Sequence, residues 1–302
     1  MKIEYLVPEE GSGRVVLTVL RKEMEISASL VRRLKREQGI FVDGKPVYTN
    51  YVLTPGETVS VIIDAGEPPC DIVPEKGEID ILFENEWMLA VNKPAGLIVH
   101  PSHSRYMGTL ANYVSGYYQE KYGDGTCHSV NRLDRDTSGI VIFTRNGFAK
   151  DKLAKALKAT GSKEYTAIVC GKPEIESGTI DAPIKRLKEM ELLRVVAPDG
   201  QRAVTHYRVL KTVETEFGKL SVLRLRLETG RTHQIRVHTK HIGCPILGDK
   251  LYYNDESCRM SELLGIETQL LHACRLTFIE PFNGSELVLE APPQRKEFQK
   301  FD

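Results

Sequence analysis

The spacing of apolar positions changes several times along the chain, and each change marks an expected element. After Ser27, which can cap a first turn, Leu30, Val31 and Leu34 fall on one face at helical spacing, and Gly39 offers a stop. Ile40-Phe-Val-Asp-Gly-Lys-Pro-Val then reads as strand, Asp-Gly turn, strand, and Thr54-Pro-Gly-Glu makes a second turn before the strand Val59-Ser-Val-Ile-Ile. From Asp64 to Glu78 the periodicity is lost in favour of Pro, Gly and acidic residues, the composition of a linker. Two apolar runs then flank an Asn85-Glu86 turn. A helix follows from Thr109, with Leu110, Tyr113, Val114 and Tyr117 on one face, and a second is capped by Asn146, with Ala149, Leu153, Ala156 and Leu157 aligned. Strands are expected at 163–171, 191–196, 203–213 and 221–227. In the last of these Leu223, Leu225 and Leu227 point one way and Arg224 and Arg226 the other, as in a half-buried antiparallel strand. The pattern predicts an α+β chain in three parts. Residues 1–64 form a small N-terminal α/β module, 65–78 a linker, and 79–302 a larger domain whose mixed, largely antiparallel β-sheet is flanked by helices.

Charge adds a local feature to an otherwise neutral chain. Across 302 residues, 41 Lys and Arg balance 41 Asp and Glu, so a uniformly basic nucleic-acid binder is excluded and only patches could serve that purpose. Arg32, Arg33, Lys35 and Arg36 crowd the first helix, with Arg14, Arg21, Lys22 and Lys45 near it in sequence, a cluster suited to phosphate contacts. No apolar run approaches the ~20 residues of a membrane span, and the N-terminus lacks a signal-peptide pattern. A cytoplasmic location is therefore expected, and, separately, a monomer. The six cysteines are scattered without a Cys-x-x-Cys pair, as for reduced thiols.

Candidate chemistry concentrates in two stretches. Asn131-Arg-Leu-Asp-Arg-Asp-Thr-Ser-Gly carries Asp134 and Asp136 between arginines and runs directly into the apolar strand 140–143, which would hold a carboxylate on a rigid support. Thr229-Gly-Arg-Thr-His-Gln-Ile-Arg-Val-His-Thr-Lys-His follows a strand. Gly230 ends that strand, Thr232 can cap a helix, and Arg231 at the junction can reach a carboxylate on another loop. His233, His238 and His241 lack the His-Glu-x-x-His pattern and a companion acidic or cysteine ligand, so they read as helix residues with phosphate contacts rather than zinc ligands. Neither a phosphate-binding Gly-x-x-x-x-Gly-Lys-Ser/Thr loop, a dinucleotide Gly-x-Gly-x-x-Gly nor a Gly-x-Ser-x-Gly elbow occurs, and no cofactor is expected. A glycosidase reading of Asp134 with Asp136 fits poorly, because such carboxyls flank a bond ~5–9.5 Å apart and two residues on one loop need not.

Arg132-Leu-Asp-Arg-Asp-Thr-Ser-Gly, Lys163-Glu-Tyr-Thr-Ala-Ile-Val-Cys-Gly, Leu227-Glu-Thr-Gly-Arg-Thr-His-Gln-Ile-Arg-Val-His and Leu271-His-Ala resemble, in order, the motifs of RluA-type RNA pseudouridine synthases. With Asn92-Lys-Pro-Ala-Gly-Leu, the likeness covers nearly all of the chain after the linker. The stretch from the basic helix through Gly39-Ile-Phe-Val-Asp-Gly-Lys-Pro-Val to Pro55-Gly-Glu resembles the S-four-like RNA-binding domain that many of those enzymes carry. The resemblance implies isomerisation of uridine in RNA, in large-subunit ribosomal RNA, by detaching the uracil, rotating it and rejoining it through carbon, with no cofactor. Asp134 would be the nucleophile or glycosidic-bond activator, Arg231 would pair with it, Tyr165 would stack on the base and join in proton removal, and Arg132 would contact phosphate. Asn131 departs from the histidine common at that position in the family. A non-catalytic RNA-binding or ribosome-assembly factor on the same fold is the alternative.

Overall fold

The computed structural model describes residues 2–63, 72–102, 105–188 and 192–300. The first half of the expected linker, Cys70 with it, and Glu191 at the start of an expected strand lie outside them.

The N-terminal part is a four-stranded antiparallel sheet with helices on it. Its elements are β1 (Lys2–Leu6), α1 (Val16–Thr18) continuing into a π-helical turn at Val19–Glu23, α2 (Ala28–Arg36), β2 (Ile40–Val42), β3 (Lys45–Pro46) and β4 (Thr58–Ile62), with strand order β1-β4-β2-β3. Ser27 caps α2 as expected, its hydroxyl accepting the Leu30 N–H over 3.3 Å, and Leu30, Val31 and Leu34 are buried. Gln38, with φ 52°, takes the left-handed position expected of Gly39. Asp43 and Gly44 are both left-handed (φ 45° and 77°), so the predicted hairpin is a tight two-residue one. β1 is an unexpected addition; its Ile3 and Tyr5 are only half-buried, too short and weak an alternation to stand out.

The larger part begins with β5 (Ile81–Glu84), β6 (Leu89–Lys93), α3 (Leu110–Tyr122), β7 (His128–Ser129), β8 (Ser138–Thr144) and α4 (Gly147–Ala159). It continues with β9 (Ser162–Cys170), β10 (Ser177–Asp181), β11 (Ile184–Arg186), β12 (Arg194–Val196), β13 (Val204–Thr215) and β14 (Gly218–Leu227). It ends with α5 (Gln234–His241), α6 (Asp255–Leu263), β15 (Leu271–Ile279), β16 (Glu286–Glu290) and α7 (Lys296–Lys300). Ten strands form one sheet in the order β10-β13-β14-β9-β15-β8-β6-β5, with β16 beside β15 and β7 beside β8, while β11 and β12 make a separate hairpin. The expected α+β architecture with a mixed, largely antiparallel sheet is what forms. Among the described strands only the short β8–β15 pairing is parallel, joining His272 and Ala273 to Ser138 and Gly139.

That parallel contact is the seam between the two halves of the sheet. Gly139 sits in it at φ 115°, and a Cβ there would collide with the Ala273 backbone, so this position in the Asp134 stretch admits no side chain. The helices carry the expected caps and faces: Asn146 accepts the Ala149 N–H over 2.8 Å, and Ala149 and Leu153 are fully buried. Residues 72–78 are not a free tether. Ile72 is buried in the apolar cluster under α3, and the Glu75 N–H donates to the Asn112 carbonyl.

The N-terminal sheet is seated on the larger part. Phe148, the second residue of α4, is buried in its apolar cluster, the Trp87 ring stacks on Phe282 at 3.8 Å beside it, and the Lys152 ammonium lies 2.8 Å from the Glu25 carboxylate. Among the described residues no helix is long and apolar enough to cross a membrane.

Gly139→Ala is expected to cost about 3 kcal/mol or more, from positive φ and backbone collision together. Urea unfolding measures it; an unchanged midpoint would mean that β8 and β15 do not approach as described.

Candidate active site

Asp134 lies in the loop that enters β8, and several buried polar side chains hold that loop from behind. Asn131 turns its amide onto the strand itself, donating to the Ile140 carbonyl over 3.0 Å and accepting the Ile142 N–H over 2.8 Å. The residue that departs from the family pattern therefore works as a backbone clamp. Lys93 is fully buried, and its Nζ donates to the carbonyls of Pro94, Leu97 and Arg135 at 2.8 to 2.9 Å. Burial pushes this ammonium down from its ordinary value while the charges of Asp136 and Asp134 pull it up. Three acceptors match three N–H donors, and we assign the charged form. On the other side of the loop Gln269 donates to Thr137, and Ser138 meets His272 Nδ1 at 2.9 Å. His272 Nε2 lies 2.8 Å from the Ala291 carbonyl, so that nitrogen carries a proton, and burial pushes the ring toward its neutral form.

The loop delivers Asp134 into an open cleft of about 830 Å³, together with Arg132, Tyr165, Arg231, His233 and Arg236. Asp136 is not in its lining; its carboxylate lies 3.3 Å from Arg135 Nε. Tyr165 reaches the cleft because β9 runs between β14 and β15, where it pairs with Leu225 and Ala273. Burial, and then the charge of Asp134, push its phenol well above the ordinary value, so it carries its proton at neutral pH.

The expected pairing of Arg231 with Asp134 is corrected by the structure. Arg231 is exposed, donating from Nε to the Arg202 carbonyl (3.1 Å) and from Nη1 to Gln201 (3.0 Å). The guanidinium on Asp134 is that of Arg236, whose Nη1 lies 3.2 Å from Oδ2. Arg236 is 6% exposed, and its Nε and Nη2 hold both oxygens of the sealed Asp249 at 2.7 and 2.8 Å. Burial opposes its charge, but Asp249 and Asp134 more than offset that and raise its pKa. The reason for the exchange is the helix start. α5 begins at Gln234, one residue later than a cap at Thr232 would start it; Arg231 is left in the exposed turn and Arg236 faces inward. His233 occupies the N-cap in the left-handed region (φ 58°), the place expected for Thr232. The apolar neighbours Ile235 and Val237 do not by themselves bury an arginine on a helix; once Arg236 is buried, its guanidinium requires carboxylates.

The other predicted groups divide. His238 is internal, with Nδ1 on Thr205 and Nε2 on the Ala182 carbonyl, while His241 is exposed. Arg32, Lys35 and Arg36 are exposed on α2, and Arg33 is tucked toward Glu37 at 3.9 Å; none of the four lines the cleft. The cleft instead gains Lys150 and Lys158 of α4 and Lys163 of β9, which were not anticipated because α4 was read by its apolar face. With Arg132 they give the cleft a basic lining, in which the carboxylates are those of Asp134 and Glu228.

Residues 88–241 match the family described as RNA pseudouridylate synthase. The chain belongs to the RNA pseudouridine synthase family. An uncharacterized RNA pseudouridine synthase of Bacillus subtilis, YhcT, is 38% identical over 96% of this chain and 93% of its own length. Ribosomal large subunit pseudouridine synthase D of Xanthomonas campestris is 35% identical over 96% and 88%. Human RNA Pseudouridylate Synthase Domain Containing 1 shares the fold, with a TM-score of 0.58 at 22% identity over 75% of this chain and 86% of that one. Pseudouridine synthases are isomerases, and this RluA-type member is one of them.

In this synthase Arg236→Met would leave Asp249 buried without its cation, and a loss of about 3–5 kcal/mol is expected. Arg231→Met, at an exposed position, should stay within about 0.5 kcal/mol of wild type. Urea unfolding of both variants compares them, and equal losses would overturn the assignment of Arg236 as the anchor.

Proposed function

We propose that this chain converts uridines of large-subunit ribosomal RNA to pseudouridine with Asp134 as the nucleophile or glycosidic-bond activator. The observation that carries the reading is the carboxylate of Asp134 in a basic cleft, gripped by Arg236, which is itself clamped on Asp249. A carboxylate so oriented suits attack at a sugar carbon, and no redox step or added energy is needed to detach uracil, rotate it and rejoin it through carbon. Tyr165 stacks on the base. Its raised pKa makes the phenol a hydrogen-bond donor at neutral pH; as a proton acceptor it would first have to ionise against burial and the Asp134 charge.

A stacked uridine hides its glycosidic bond, so the base is flipped into the cleft at a cost of a few kcal/mol. Arg132, Lys150, Lys158 and Lys163 offset that cost through the RNA phosphates. The N-terminal module, residues 1–64, acts as an S-four-like RNA-binding domain through the exposed Arg32, Lys35 and Arg36, with Arg33 supporting the helix. The Xanthomonas relative, named for the large ribosomal subunit, supports the substrate class. The enzyme acts as a cytoplasmic monomer. A purely RNA-binding role on this fold leaves the Asp134–Arg236–Asp249 arrangement without a purpose.

Asp134→Asn is expected to lower pseudouridine formation at least about 10⁴-fold on a transcript that the wild type modifies, with RNA affinity within a few-fold. Wild-type turnover by that variant would sink the mechanism. Arg32→Glu with Arg36→Glu should lower the salt slope of RNA binding by about 0.7 to 0.9 for each phosphate that the protein no longer neutralises. An unchanged slope would remove the module from the RNA interface.

A further inference from the structure

Tyr252 is 3% exposed, and its hydroxyl has two neighbours: the Arg194 backbone N–H, which donates to it over 2.9 Å, and His233 Nδ1 at 2.8 Å. The amide occupies one lone pair of that oxygen. Among the described residues no other acceptor lies within hydrogen-bond distance of the hydroxyl, and a buried O–H is not left without one, so the phenolic proton goes to Nδ1. An imidazole that accepts at Nδ1 and is neutral carries its own proton on Nε2. Nε2 is the nitrogen that faces Asp134, 3.8 Å from Oδ2. Doubly protonated, the ring would aim an N–H at the Tyr252 oxygen and strand the phenolic proton; burial likewise disfavours that form.

Three further features place His233 deliberately. Its backbone is left-handed (φ 58°, ψ 18°), a region non-glycine residues seldom adopt, and its side chain makes no cap to repay that strain. Asp249, which grips Arg236, also accepts the N–H groups of Leu251 and Tyr252 at 2.9 and 3.0 Å, so one carboxylate braces both groups that face Asp134. The Tyr252 ring meets His233 edge-on, with centroids 5.6 Å apart, and lies 5.0 Å from the Arg236 guanidinium. Both Arg236 and His233 approach Oδ2, and Oδ1 has no hydrogen-bond donor among the described residues.

We propose that His233 is a positioning residue, held by Tyr252 as the neutral Nε2–H tautomer, which closes onto Oδ2 of Asp134 when RNA fills the cleft and so leaves Oδ1 as the attacking oxygen. The assignment rests on the reading of Asp134 given above. It also links the hairpin of β11 and β12 to the reacting carboxylate, since the amide that sets the phenol's direction is the first of β12.

The test combines a spectrum and a rate. Two-bond proton–nitrogen correlation of wild-type enzyme with isotope-labelled histidine at neutral pH is expected to show His233 as Nε2–H, and Tyr252→Phe, which keeps the ring, to shift it toward Nδ1–H. The same variant should lose about tenfold in kcat with KM within about twofold. His233→Gln, whose amide N–H reaches the position of Nε2, should retain more kcat than His233→Ala. An Nδ1–H ring or an imidazolium in the wild type overturns the proposal even if a variant fails to fold, as does wild-type kcat in Tyr252→Phe. A wild type that forms no pseudouridine in any RNA would instead overturn the function, and the spectrum separates the two outcomes.

Discussion

One guanidinium closes the floor of the cleft. Arg236 gives its two-pronged edge to Asp249 and its remaining nitrogen to Asp134, so its charge is compensated in a place where an uncompensated cation would be untenable. The three residues come from α5, from the segment that follows it, and from the loop before β8, more than a hundred positions earlier in the case of Asp134. Completing the fold and orienting the carboxylate are therefore one event. The bidentate grip on Asp249 also sets a direction: with that prong fixed, Nη1 can address only what stands in front of it.

The polar residues around the cleft divide by which way they face. Arg132, Asp134, Tyr165 and Arg231 line it, Asn131 and Thr137 border it while also bonding the protein behind, and Lys93, Ser138 and His272 lie outside the lining and help hold the Asp134 loop in place. Gly139 belongs to the last group by omission, since the strand beside it occupies the space of a side chain. The loop is held by several paired buried donors and acceptors, although one buried oxygen of Asp136 has no hydrogen-bond partner among the described residues, and those pairings limit how far the Asp134 carboxylate can wander.

What could be read from the chain alone follows from how local each signal is. The cap at Ser27, the Asp43-Gly44 hairpin, the cap at Asn146 and the alternation through Leu223, Leu225 and Leu227 each agree with the apolar pattern around them, and each formed. The large elements and Asp134's place in a cleft were legible for that reason. The partner of Asp134 was not, because it depended on where α5 starts, and that start depends on a histidine in a left-handed backbone beside a threonine that is the better cap on paper. The edge strand β1, the docking of residues 72–78 on α3, and the lysines on the cleft side of α4 were hidden likewise: each is decided by what lies across the fold.

α4 has two jobs on opposite sides. Phe148 near its start is buried against the N-terminal sheet, and Lys150 and Lys158 border the cleft. With the Trp87–Phe282 stack and the Glu25–Lys152 pair, this seat makes the separation between the basic face of α2 and Asp134 a property of packed side chains rather than of a tether. The two surfaces then work as the jaws of a calliper set to one opening. On the function proposed above, an RNA that touched both would be selected by the distance and angle between its own helices before any base is read.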